Sequence, residues 1–299
     1  MKRIISLLPS ATDVVGVLGV EDWLVGVSHE CDWPASVRRL PRLTRGLISP
    51  DLPPAQIDAA VNQSVHTHRS LYDLDGALLH RLKPDVILTQ ELCDVCAVSY
   101  DQVLGAARLL LGDGDSPAIL SLEPTSLAEV IDTVQVVANE LGCADRGQAV
   151  SDTLRERLQR AYHLGKSRSH HPSVLLLEWT DPPFTGGHWV PEMIEAAGGI
   201  NAPLQAARRG IPSVRVGWEE IQANDPDVIV VGPCGYNREG ASKLIAALAD
   251  RPEWQALRAV RKGRVFPVDA NSFFSRPGPR LFDGIDQLRA ILDQVETSA

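Results

Sequence analysis

The chain has 299 residues, a formal net charge of −9, and 22% charged against 44% hydrophobic residues. Domains cluster near roughly 100–150 residues, so this length suits two lobes better than one large core. No block of Lys or Arg offers an electrostatic footprint for nucleic acid or anionic lipid, and no run of about 20 apolar residues predicts membrane insertion.

The opening, MKRIISLLPSATDVVGVLGV, has a basic start and a short apolar run that Ser10, Thr12 and Asp13 interrupt. It predicts strand 1 running into helix 1 rather than an export signal. A cytoplasmic chain is therefore expected, with Cys31, Cys93, Cys96, Cys143 and Cys234 held reduced.

Short apolar runs then alternate with helical stretches: RIISLLP, LVGVS, DVILTQ and AILSL in the first half, SVLLLEW, DVIVVG and RVFPVD in the second. Continuous rather than alternating apolar runs predict strands buried on both faces of a parallel sheet, in an α/β chain. LKPDVILTQ (82–90) and NDPDVIVVG (224–232) share a Pro-Asp-Val-Ile core, each with a helix (about 76–82 and 218–223) ending before the proline. Between the halves, residues 126–166 contain no proline and keep Leu127, Val130, Ile131, Val134, Val137 and Leu141 at helical spacing. The prediction is two Rossmann-like lobes with parallel-rich sheets (1–125 and 167–299), joined by a single long helix (126–166) that Gly142 and Gly147 could notch. A ligand cleft is expected between the lobes.

In parallel α/β sheets ligands bind outside the carboxyl ends of the strands. The segments that follow the predicted strands are SHECDWP (28–34), TQELCDVCAVSY (89–100), LEPTS (122–126), WTDPPFTGGHW (179–189), GPCGYN (232–237) and DANSFFSRPGPR (269–280). Three of the six Trp, two of the four Tyr, three of the five Phe and four of the five Cys fall in them, including Trp33, Trp179, Trp189, Tyr236 and Phe273. Stacking surfaces concentrated at strand ends predict a ligand-binding wall.

Cys93 and Cys96, spaced C-x-x-C, could hold zinc or iron with Cys31 and His29, since thiolate and imidazole are soft ligands. Buried structural thiols and a redox pair are the alternatives. Glu30, Asp32, Glu91, Asp94, Glu178 and Asp181 add carboxylates to the same loops. Glu178 ends an apolar run, where a lone carboxylate is costly, and a ligand or an Arg such as Arg276 is its expected partner. His66 and His68 read as surface loop, and His170 and His171 as inert. No G-x-S-x-G elbow, P-loop or G-x-G-x-x-G after strand 1 is present.

RIISLLPSATDVVGVLGVEDWLVGVSHECDWP, LKPDVILTQ, GGHWVPEMIEAAGGINA and SRPGPRLFDGIDQL, in that order, resemble substrate-binding proteins for vitamin B12 and iron siderophores over nearly the whole chain. The resemblance implies two α/β lobes, a small-molecule ligand in the cleft and delivery to an ABC transporter. The ligand it implies is a bulky corrinoid or other tetrapyrrole-like molecule, cobalamin being the nearest example. The ligand-binding candidates are His29, Glu30, Trp33, Glu91, Trp179, His188, Trp189, Tyr236, Asn271, Phe273 and Arg276. His188 reads either as an axial ligand to a corrinoid cobalt or hydrogen-bond donor, or as a histidine at a helix entry. The alternative function is a metal- or thiol-dependent cytoplasmic enzyme reusing the cleft, with Glu30, Glu91 or Glu178 as acid–base groups; the balance lies against catalysis.

Overall fold

The computed structural model describes residues 1–49, 51–67, 71–90, 105, 117–202, 204 and 209–297. Its contacts divide the chain into two compact units, Met1–Pro124 with Asp132–Ser151, and Thr125–Ile131 with Asp152–Ala299. Strands and helices are numbered below in chain order among the described residues.

In the first unit, β1 (Ile4–Ser6) runs into α1 (Pro9–Val17), which begins with proline, a residue suited to the first helical turn. There follow β2 (Leu24–Val27), β3 (Thr44–Gly46), α2 (Pro54–His66), β4 (Tyr72–Leu74), α3 (Gly76–Leu82), β5 (Val86–Thr89) and β6 (Ala118–Ser121). The main sheet has the order β2-β1-β5-β6, all neighbours parallel, with Ile4 opposite Val86 and Ile5 opposite Ile87. Every residue of β1 and β5 is buried, as the continuous apolar runs predicted. Ile5, Leu7, Leu43, Leu79 and Ile87 form the core. β3 and β4 make a separate antiparallel ribbon that sets Thr44 opposite Leu74 and Gly46 opposite Tyr72.

Residues 126–166 form two helices, α4 (Leu127–Leu141) and α5 (Ala144–Lys166). All six apolar positions named from the spacing in α4 are buried. Gly142, at φ +73°, breaks the run in a left-handed conformation that glycine adopts without a Cβ penalty. Gly147 stays helical and has another use: a Cβ there would lie 2.4 Å from Ala138 Cβ, so its hydrogen lets α5 approach α4. The unit boundaries fall inside these helices, between Ile131 and Asp132 and between Ser151 and Asp152.

The second unit contains β7 (Ser173–Thr180), β8 (Pro183–Thr185), α6 (Val190–Ala196), β9 (Ile200–Asn201), α7 (Trp218–Asn224), β10 (Val228–Val231), α8 (Arg238–Ala247), α9 (Pro252–Gln255), α10 (Arg258–Arg261), β11 (Val265–Pro267), α11 (Ala270–Phe273) and α12 (Leu281–Thr297). β11, β10 and β7 run parallel in that order, β8 adds an antiparallel edge, and β9 pairs with the start of β7. Leu175, Leu177, Ile229 and Val231 pack with Trp218 and Trp254, whose rings meet edge to face at 6.1 Å.

The Pro-Asp-Val-Ile repeat is one structural device used in both units. α3 and α7 each end on a left-handed residue, Lys83 (φ 41°) and Asp225 (φ 40°), before Pro84 and Pro226 turn the chain into β5 and β10. The aspartate that follows then binds the backbone at the start of the adjoining strand: Asp85 accepts from Arg3 N–H at 2.6 Å and Asp227 from Ser173 N–H at 3.0 Å.

Candidate functional site

In the first unit the chain leaves β2 at Val27 and turns through residues 28–34. Ser6, Thr12, Ser28 and Cys31 are buried together there. Thr12 Oγ1 lies 2.9 Å from Ser6 Oγ and 3.0 Å from Cys31 Sγ, and Ser28 Oγ lies 3.2 Å from the same sulfur. Cys31 thus points inward, and its surroundings are those of a packed thiol. Among the described residues no group of three or more His, Cys, Asp or Glu side chains is placed to hold a metal ion. Glu91, Cys93 and Cys96 lie outside the described residues. The strand order bears on the grouping proposed for them: β1 separates β2 from β5, so the loop carrying Cys31 and the segment after Thr89 do not leave neighbouring strands.

Turning Cys31 inward leaves His29 and Glu30 exposed at the same strand end. Thr44 of β3, itself buried, orients the histidine: its hydroxyl oxygen accepts the His29 backbone N–H at 3.0 Å and lies 2.7 Å from Nδ1. The imidazole leans on the Tyr72 ring at 5.7 Å. Partial burial holds its pKa below the usual histidine value; the neighbouring Glu30 charge opposes that shift and Arg42 reinforces it. Arg42 also fastens the loop, its Nη1 donating to the carbonyls of Ser28 at 2.7 Å and Cys31 at 2.6 Å. Trp33 lies across α1, where a Cβ on Gly16 would meet its Cζ3 at 2.6 Å. That packing occupies one part of a half-buried indole.

In the second unit the ends of β7, β10 and β11 bring four of the named residues into one chain of contacts. Trp179 and Tyr236 meet edge to face at 5.8 Å. The Tyr236 carbonyl accepts from Asn271 N–H at 3.1 Å, and Asn271 Oδ1 accepts from Arg276 Nη2 at 2.8 Å. Burial raises the Tyr236 phenol pKa, so this ring stays neutral. Short capped turns hold the group: Asn237 caps α8 through Gly240 N–H, and Asp269 caps α11 through Ser272 N–H. Phe273 is half-buried and carries the Arg280 guanidinium over its ring at 4.7 Å.

Glu178 ties these loops together. Its carboxylate accepts from Gly187 N–H at 3.1 Å and from the Ser213 hydroxyl, and its carbonyl accepts from Cys234 N–H at 3.2 Å. Ser213 and Gly187, not the expected Arg276, are the partners of its carboxyl. Burial raises its pKa above the usual carboxylate range, against the lowering effect of those two donors. Gly187 is required by its neighbours, since a Cβ would lie 2.2 Å from Ser213 N.

His188 follows at φ +49°, an uncommon conformation for a residue with a Cβ, stacked on Trp189 with ring centroids 5.3 Å apart. Its Nδ1 is buried without a hydrogen-bond partner, and burial lowers its pKa. Trp189 itself is buried, its Nε1 donating to the Phe274 carbonyl at 2.7 Å. It anchors the core of this unit. Sequence reasoning missed Thr44, Tyr72, Arg42 and Ser213. All four come from segments distant in sequence from the residues they hold, and none stands in a motif.

A family model described as "Periplasmic binding protein" matches residues 4–271. The Vitamin B12-binding protein of Vibrio cholerae is 24% identical over 294 residues, covering 96% of this chain and 87% of its own. An uncharacterized ABC transporter substrate-binding lipoprotein of Bacillus subtilis, YvrC, is 22% identical over 293 residues, covering 96% and 78%. Among solved structures, the periplasmic heme-binding protein RhuT from Roseiflexus sp. RS-1 superposes with a TM-score of 0.72 at 23% identity, over 98% of this chain and 99% of that one. A parallel-rich α/β chain of this kind shares its fold with binding proteins for quite different macrocycles.

Proposed function

The chain belongs to the periplasmic binding protein family, and from that premise we propose that it binds a bulky, partly planar tetrapyrrole-like ligand, a corrinoid or haem. The observation that carries the reading is the Trp179, Tyr236, Asn271 and Arg276 constellation. Two aromatic rings at the ends of adjoining parallel strands offer a stacking surface, and Asn271, held by the buried Arg276, adds a polar side chain beside it. The relatives point the same way, one named for vitamin B12 and another for heme.

Delivery to an ABC transporter is part of the proposal, supported by family membership and by the name of the Bacillus subtilis relative. A cytoplasmic location is a competing proposal, which would exclude such delivery. Cell fractionation tests it.

Titrating cyanocobalamin and hemin against intrinsic Trp fluorescence tests the ligand class. Saturable quenching by at least one is expected, with Trp179→Ala and Tyr236→Ala each weakening it about tenfold or more, the range of a lost stacking contact. If neither compound quenches at tens of micromolar, the fold stands and this ligand class is removed.

A further inference from the structure

His29 is held by a hydroxyl whose hydrogen-bonding capacity can be counted. Thr44 Oγ1 has one proton to give and two lone pairs. One lone pair accepts the His29 backbone N–H at 3.0 Å. The hydroxyl is buried, and the acceptor within reach of its proton is His29 Nδ1 at 2.7 Å. A buried hydroxyl left without an acceptor is unfavourable, so the proton is directed to Nδ1. A neutral imidazole that accepts at Nδ1 carries its own hydrogen on Nε2.

From this geometry we infer that His29 is a specificity-determining residue presenting Nε2–H as a donor, so that it selects a ligand with a carbonyl, amide or carboxylate oxygen at that point and does not coordinate the ligand's metal. Coordination through Nε2 needs the opposite tautomer. Histidines that bind metal give their other N–H to an acceptor such as a carboxylate or carbonyl, and Thr44 supplies a donor instead.

The surroundings agree. Tyr72 fixes the ring plane from one side. His29 is exposed, and Gly46 stands beside Nε2, where an added Cβ would lie 3.4 Å from it, an ordinary van der Waals contact. Burial and Arg42 both favour the neutral ring, Glu30 being the one neighbour that opposes them. The inference rests on the reading of this chain as a tetrapyrrole-binding protein, which it deepens by naming what one polar residue reads on the ligand.

Two measurements separate the inference from that reading. Long-range proton–nitrogen correlation spectra of the full chain without ligand, with His29→Ala to assign the ring, report the tautomer directly. Nitrogen shifts of the Nε2–H form are expected, and those of the Nδ1–H form would overturn the inference whatever the protein binds.

Hemin is then titrated into wild type, His29→Ala, Thr44→Val and Thr44→Ser, following absorbance. Loss of one hydrogen bond predicts roughly three- to tenfold weaker binding for His29→Ala and Thr44→Val, with Thr44→Ser close to wild type. All four should keep the same iron coordination spectrum. An imidazole–iron spectrum in wild type that disappears in His29→Ala overturns the inference, and so does unchanged affinity of both His29→Ala and Thr44→Val. Failure of wild type to bind either hemin or cyanocobalamin removes the functional reading, while the tautomer spectrum still decides the state of His29.

Discussion

Asp85 and Asp227 make the same contact in two different units: each carboxylate receives the backbone N–H that opens the neighbouring parallel strand. Asp227 also accepts the Ser173 hydroxyl at 2.9 Å and pairs with Arg258 at 3.0 Å. Burial pushes its pKa up, but the Ser173 bonds and the Arg258 charge outweigh that and hold it below the usual aspartate value. A depressed carboxylate pKa contributes stability above the unfolded value of about 3.9, lost as pH falls through the folded value. Asp227→Asn should therefore cost about 1–2 kcal/mol near neutral pH, shrinking toward zero in acid. Urea unfolding of both proteins at a series of pH values checks this. A difference that persists or grows in acid contradicts the assignment.

Glu178 should behave with the opposite sign. Its pKa is raised, so its contribution is fully present below the unfolded value of about 4.3 and is lost as pH rises through the folded value. Glu178→Gln keeps an acceptor for Gly187 N–H and has no charge to bury. Relative to wild type, the variant is expected to gain stability steadily with rising pH. Melting midpoints across the same pH series would show the two curves diverging upward, and parallel curves would mean that the carboxyl is solvated in the folded chain.

Two glycines in neighbouring loops should respond very differently to alanine. At Gly187 a Cβ would lie 2.2 Å from Ser213 N and 2.6 Å from Pro212 C, backbone atoms that cannot rotate away. Gly235 has open space around it and φ +80°, so alanine meets only the left-handed penalty of about 1–2 kcal/mol. Gly187→Ala is expected to cost 3 kcal/mol or more, on the order of severe overpacking. Equal costs in urea unfolding would show that the 209–213 segment yields.

The fold was legible because its signals are local. Continuous apolar runs marked the strands, and the repeated Pro-Asp-Val-Ile core marked equivalent positions in the two sheets. Helical spacing from Leu127 to Leu141 gave the buried face of α4, but whether Gly142 or Gly147 broke the connector depended on packing. Gly142 turns left-handed, whereas Gly147 meets Ala138 from within a helix.

The site was legible only in part. Trp179, Tyr236, Asn271 and Arg276 could be grouped because each stands at the end of, or after, a strand that the sequence announces. The partner of Glu178 could not be found that way, since Ser213 belongs to a loop with no strand signal. Nor could the inward turn of Cys31, which depends on hydroxyls from β1 and α1 meeting behind the loop.

Trp179 and Trp189 stood together in the sequence reading as ligand-stacking residues, and the structure separates their surroundings. The Trp189 indole is buried and spends its N–H on the Phe274 carbonyl, whereas Trp179 is half-buried and donates at 3.2 Å to the Asp181 carbonyl beside it. Trp189→Phe keeps most of the apolar volume but leaves a buried carbonyl without its donor, a cost of about 1–3 kcal/mol. Trp179→Phe removes an exposed-side bond and should change stability by less than about 0.5 kcal/mol. Ligand binding is expected to divide the other way. Trp189→Phe should hold the wild-type affinity for whichever of cyanocobalamin or hemin binds, while Trp179→Ala lowers it. Urea unfolding and ligand titration of the variants together test the division. Wild-type stability in Trp189→Phe combined with lost affinity would return Trp189 to the ligand wall and make its bond to Phe274 incidental.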